Sequence, residues 1–149
     1  MTSAYFADSS ALVKLYADEP GAETVRSVGL LVASQLARVE VPAAIWRKHR
    51  IGELPAAAAG VLVAAFEADY FGTDGEPPRF SVVKATAHIL DQAARLVAAH
   101  GLRGYGAVQL ASACVVNAAV PEGVAFLAFD KALCSAAAAE GLELPPASS

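Results

Sequence analysis

Residues 5 to 16 read YFADSSALVKLY, and the point where this stretch changes character decides the fold. Tyr5, Phe6 and Ala7 form a short apolar run closed by Asp8. From Ser9 onward, Leu12, Val13, Leu15 and Tyr16 recur at helical spacing. A strand therefore feeds directly into a helix with an acid at the junction. Ser9 or Ser10 is placed to cap that helix, because a hydroxyl accepts a hydrogen bond from the unpaired amides of a first turn. VAFLAFD at 124–130 repeats the design: an apolar run ends in Asp130, and KALCSAAAAEG (131–141) follows as a helix.

Working outward, Glu19-Pro20-Gly21 breaks the chain and GAETVRSVG reads as a second short helix. GLLVASQ (29–35) suits a buried strand, and a long helix follows from about Ser34 through LARVEVPAAIWRKHR. Pro42 lies inside that helix and either kinks it or sits near its first turn. LPAAAAGVLVAAFEADYFG (54–72) carries Pro near its start and Gly past its end, as helices do. RFSVVKA (79–85) suits a strand. TAHILDQAARLVAAHG (86–101) is a helix with Ile89, Ala93, Leu96 and Val97 on one side and Gly101 as its stop. RGYGAVQLASA (103–113) opens another helix running to about Asn117, and LELPP closes the chain as a last short strand.

Strands that alternate with helices and are nearly continuous in apolar residues indicate a parallel sheet buried between helical layers. The expected fold is an α/β protein, a three-layer α/β/α sandwich around a central, mainly parallel sheet. In such sheets functional groups gather at the carboxyl ends of the strands.

Composition sets the class. The chain has 149 residues, enough for one domain with a sizeable core. Hydrophobic residues make up 56% and charged residues 17%, which excludes disorder, while no apolar run reaches the length of a membrane span. The start, MTSAYFADSS, lacks a secretory pattern, so a cytoplasmic protein is expected. Cys114 and Cys134 lie apart in apolar helical contexts and read as core thiols. His49, His88 and His100 are scattered and receive no role. The net charge of -4 argues against a surface coated for nucleic acid. Locally, however, Arg47, Lys48 and Arg50 with Arg38 upstream form either a solvated face or a phosphate-contacting strip.

The acids carry the chemistry. Asp8 and Asp130 each fit a helix N-cap, yet two carboxylates at the ends of neighbouring parallel strands repel each other unless a cation lies between them, and hard divalent ions take oxygen ligands. Glu40, between Val39 and Val41, faces either solvent or a pocket. A phosphotransfer domain of receiver or haloacid-dehalogenase type would also use strand-end aspartates, but needs a second aspartate where this chain has Ser9 and Ser10.

Taken in order, ADSSALVKLY, the glutamate of ARVEVPAAIWR, LRGYGAVQLASA, and FLAFDKAL followed by AAAAEGLEL resemble the PIN-domain family, in particular the VapC-like toxins of bacterial toxin-antitoxin modules. The resemblance runs along nearly the whole chain and rests on the four segments together. It implies a single PIN domain over 1–149 and a metal-dependent endoribonuclease that cuts structured RNA, tRNA or rRNA. It implies an active site of acids holding Mg2+ or Mn2+. By this resemblance Asp8 is the first acid, with Ser10 as the hydroxyl beside it, Glu40 is the second and Asp130 the fourth.

The family's third acid begins a helix in a pattern close to LRAYDAVQLA. At that place this chain has Gly106, a vacated ligand position, so activity is expected to be impaired. Asp91, mid-helix and well before the site, is a weak substitute. The glycine marks either a degenerate copy or an inactivating change in a protein toxic to its host. Lys14, Arg103 and Arg38 are the expected RNA contacts, with Arg47, Lys48 and Arg50 as further candidates. The resemblance further implies a homodimer and a VapB-like antitoxin partner, with LVKLY and AAIWR as apolar surface unless the core takes them. The alternative is a catalytically silent PIN-fold module that binds an antitoxin or RNA.

Overall fold

Four strands lie side by side in the order β3-β2-β1-β4, all parallel. The structure, a computed structural model, describes residues 4–145. In chain order the elements are β1 (Ala4–Ala7), α1 (Ser9–Val13), α2 (Ala22–Arg26), β2 (Leu30–Ser34), α3 (Ala37–Arg50), α4 (Ala56–Phe71), β3 (Phe80–Val83), α5 (Ala87–His100), α6 (Gly104–Ala119), β4 (Ala125–Leu127) and α7 (Lys131–Ala139). This is the three-layer α/β/α sandwich that the alternation of strands and helices implies.

Alternation within the strands sorts the layers. Phe6 and Phe126 stack with ring centres 6.1 Å apart and join Ile89, Leu96, Leu110 and Leu133, so α5, α6 and α7 cover one face. Ala7, Leu31, Ala33 and Leu127 point the other way, onto Leu12, Val25, Val41, Ile45 and Phe66, so α1 to α4 cover the other. Apolar burial on both faces is what nearly continuous apolar strands require.

Strand order places the crevice. The chain builds β1, β2 and β3 in one direction, then returns so that β4 pairs with the free side of β1, with Phe6 opposite Phe126 and Ala7 opposite Leu127. Connections therefore leave β1 and β4 in opposite senses, and their carboxyl ends open a gap between helical layers. Ligands bind at such switch points in open parallel sheets.

Several expectations from the sequence are corrected. LELPP does not form a fifth strand: Glu143 makes a single parallel bridge to Ala125, with the Phe126 amide donating to the Glu143 carbonyl at 2.8 Å, and Pro146 lies outside the described residues. The helix expected from about Ser34 begins at Ala37, because Ser34 is the last residue of β2, and it continues through Pro42. Val97 is exposed while Ile89, Ala93 and Leu96 are buried. Within LVKLY and AAIWR, Leu12, Val13 and Ile45 belong to the core, so these stretches do not supply a continuous apolar surface.

Candidate functional site

The switch point holds a cavity of about 870 Å3 lined by the starts of three helices: Asp8, Ser9 and Ser10 of the β1–α1 junction, Arg103 to Gly106 of α6, and Asp130 to Leu133 of α7, except Lys131. Glu40 from α3 and Gln109 from the second turn of α6 complete the floor.

Asp8 is the N-cap of α1. Its Oδ1 accepts from the Ala11 amide at 2.9 Å, and the Ser10 hydroxyl donates to both carboxylate oxygens, at 2.9 and 3.0 Å. Strand pairing locks it in place, since the Asp8 amide donates to the Leu127 carbonyl at 3.1 Å. Burial pushes its pKa up from 3.8 to about 6 against those hydrogen bonds, and the charges of Glu40 and Asp130 push the same way. Asp130 is the N-cap of α7, with Oδ1 accepting from the Leu133 amide at 2.8 Å, and is exposed. Both aspartates are thus caps and cavity walls at once. Unlike Asp8, Asp130 does not follow its strand directly, because β4 ends at Leu127 and Ala128 and Phe129 intervene.

Glu40 turns inward, half-buried, rather than onto the outer face. Its Oε1 accepts from the Ser9 hydroxyl at 2.9 Å and from Gln109 Nε2 at 2.8 Å. Gln109 Nε2 also donates to Ser9 Oγ at 2.8 Å. Three elements distant in sequence are tied by one ring of hydrogen bonds. The amide orientation follows from chemistry: a carboxylate only accepts, so the nitrogen must face it. Gln109 is only 3% exposed, and among the described residues its buried Oε1 has no partner, a costly state for a carbonyl oxygen. Neither Gln109 nor the role of Ser9 was expected. The available signal was a lone amide in the apolar run AVQLASA, one turn past Gly106.

Gly106 lines the cavity in the first turn of α6. A Cβ there would meet only Leu133 Cδ1, at 3.7 Å, an ordinary van der Waals contact. Arg103, Gly106 and the three acids therefore share one space. Lys14 and Arg38 are not among its lining residues: Lys14 pairs with Glu19 at 3.0 Å, its Nζ 4.7 Å from the centre of the Phe129 ring, and Arg38 pairs with Glu67 at 2.8 Å. Lys48 bridges Glu19 and Glu53. Asp91 is exposed on α5, away from the cavity lining.

Among the described residues, no three His, Cys, Asp or Glu side chains are spaced to hold a metal ion together. The oxygen donors suit a hard divalent ion in type, being carboxylates from three elements. Cys134 is not among the lining residues. Burial, with Asp8 and Asp130 adding their charge, raises its thiol, which donates to the Ala128 carbonyl at 3.2 Å. Cys114 is raised by burial to about 11. Both thiols are half-buried rather than fully in the core. Of the histidines, His100 contacts Glu140 at 2.8 Å and His49 the Leu54 carbonyl at 2.9 Å, away from the cavity lining.

No helix among the described residues is long and apolar enough to cross a membrane. No family model matches the chain, and no curated protein matches it. Among solved structures it is similar to the crystal structure of PAE2754 from Pyrobaculum aerophilum, with 23% identity, a TM-score of 0.59, and coverage of 89% of this chain and 78% of that chain. That likeness is one of fold.

Proposed function

We propose that this chain is a VapC-like toxin of the PIN-domain type, a metal-dependent endoribonuclease for tRNA or rRNA that acts in the cytoplasm, is weakened by Gly106, and is held in check by a VapB-like antitoxin. The observation that carries this reading is the sharing of one switch-point cavity by Asp8, Glu40 and Asp130, each from a different element, around a first-turn glycine with room for a Cβ. The raised pKa of Asp8 supports it as well, because acids crowded in a partly dry cavity favour a bound cation.

Mg2+ or Mn2+ bound there would lower the pKa of a water and neutralise the scissile phosphate. With fewer than three carboxylates in reach of a common point, the protein would supply one or two ligands and leave the rest to water and phosphate, as magnesium sites commonly do. Asp8 and Asp130 are the ligands best placed by their caps. Ser10 orients Asp8. Ser9 and Gln109 fix one oxygen of Glu40 and leave Oε2 to accept a proton from a water at the cavity. Arg103 on the rim offers a guanidinium to a flanking phosphate.

Gly106→Asp is expected to restore manganese-dependent cleavage of tRNA or rRNA pools and toxicity on expression, with metal affinity measured in parallel by calorimetry. A folded Gly106→Asp protein with neither metal binding nor cleavage would sink the reading. The alternative, a silent module of the same fold that binds an antitoxin or RNA, is favoured by Gly106 itself. Metal binding without cleavage by Gly106→Asp would select it.

A further inference from the structure

The start of α6 carries a large side chain that neither the fold nor the acids use. Tyr105 is 67% exposed and lines the cavity beside Arg103. Among the described residues its ring and hydroxyl have no hydrogen-bond, ion-pair or ring partner, and the Arg103 guanidinium has none either. Its chain neighbours are Gly104 and Gly106, so no adjacent side chain covers the ring, and a Cβ at Gly104 would itself meet nothing. An aromatic side chain stabilises a protein mainly through burial, and this one contributes little. Two glycines in a first helical turn weaken the helix further. The arrangement is better explained by something that arrives from outside and covers a flat face.

We infer that Tyr105 is a stacking platform for one unpaired base next to the phosphate held over the carboxylates, with Arg103 gripping the flanking phosphate. The inference rests on the ribonuclease reading and adds to it the residue that would hold a base. In a continuous duplex both faces of every base are already stacked on neighbours, and a protein ring finds no free face. Unpaired bases offer theirs, and aromatic side chains take them with little regard to sequence.

The chain with Gly106 suits the test, since binding can be read while cutting is weak. Fluorescence anisotropy in Mn2+ would follow three labelled RNAs: a single-stranded oligonucleotide, a hairpin with that sequence in its loop, and a fully paired duplex. The native chain is expected to bind the first two more tightly than the duplex. Tyr105→Ala should weaken both by about tenfold and leave the duplex unchanged, while Tyr105→Phe, which keeps the ring, should bind as the native chain does. Abasic sites in the oligonucleotide should weaken the native chain but not Tyr105→Ala. Duplex bound as tightly as single strand, or single-strand affinity untouched by Tyr105→Ala, overturns the inference and leaves the ribonuclease reading standing. If no RNA binds the native chain at all, the inference falls, and Gly106→Asp decides the ribonuclease reading.

Discussion

At Asp8, burial and charge oppose the ionised form while the helix cap supports it, and burial wins, raising the pKa from 3.8 to about 6. An acid with a raised folded-state pKa holds its proton more tightly when folded. Its stabilising contribution is therefore complete below the unfolded value and is lost as pH rises through about 6. The span is worth about 3 kcal/mol at most. Asp8→Asn keeps a good cap and cannot ionise. In EDTA, urea unfolding should find it more stable than the native chain near neutral pH, with the difference vanishing as pH falls towards 4. A constant difference across that range would show that Asp8 does not titrate in the folded state as described. Asp8 and Asp130 could be picked out in the sequence because each closes an apolar run just before a helix, whereas Glu40 and Gly106 stand out only through the resemblance to PIN domains. The Ser9–Glu40–Gln109 ring could not, since it joins residues up to 100 positions apart and no periodicity encodes a hydrogen bond across three elements.

Among the elements, glycine's effect depends on backbone angle and free space. Gly60 lies inside α4 and a Cβ there would meet nothing, whereas Gly101 ends α5 in the left-handed region at φ 65°. Gly60→Ala should stabilise the fold by about 0.5–1 kcal/mol, and Gly101→Ala should destabilise it by about 1–2 kcal/mol, both readable as shifts in Tm. Equal shifts would mean that these helix boundaries are misplaced. Most helices and strands were legible from period and punctuation: Thr86 and Gly101 bracket α5, and Gly72 closes α4. The failures lie at ends, where tertiary contacts decide. Leu15 and Tyr16 keep helical spacing beyond α1, yet their amides bond three residues back, to Leu12 and Val13, so the helix tightens and stops. At the other end of the chain, the apolar LEL pattern promises a strand, but only Glu143 bridges the sheet.

Across the described residues, one sheet divides two cores, and because both cores share its strands they should melt together. Ile45 belongs to the core under α3 and Ile89 to the core under α5. Ile45→Val and Ile89→Val should each cost about 0.5–1.5 kcal/mol, sum in the double variant, and leave one cooperative transition. Two separable transitions would show that the faces fold independently. The sandwich could be foreseen because alternating strands and helices admit few arrangements. The pairing of β4 with β1 is a long-range choice written in no single segment, and it is this choice that brings Asp8 and Asp130 to the same gap. The open space beside Gly106 has a genetic corollary. Every glycine codon becomes an aspartate or glutamate codon by one change at its second base. An acid at this position therefore stands a single nucleotide away, with ordinary contact for its Cβ, and such variants should arise spontaneously wherever a growing culture tolerates or rewards them.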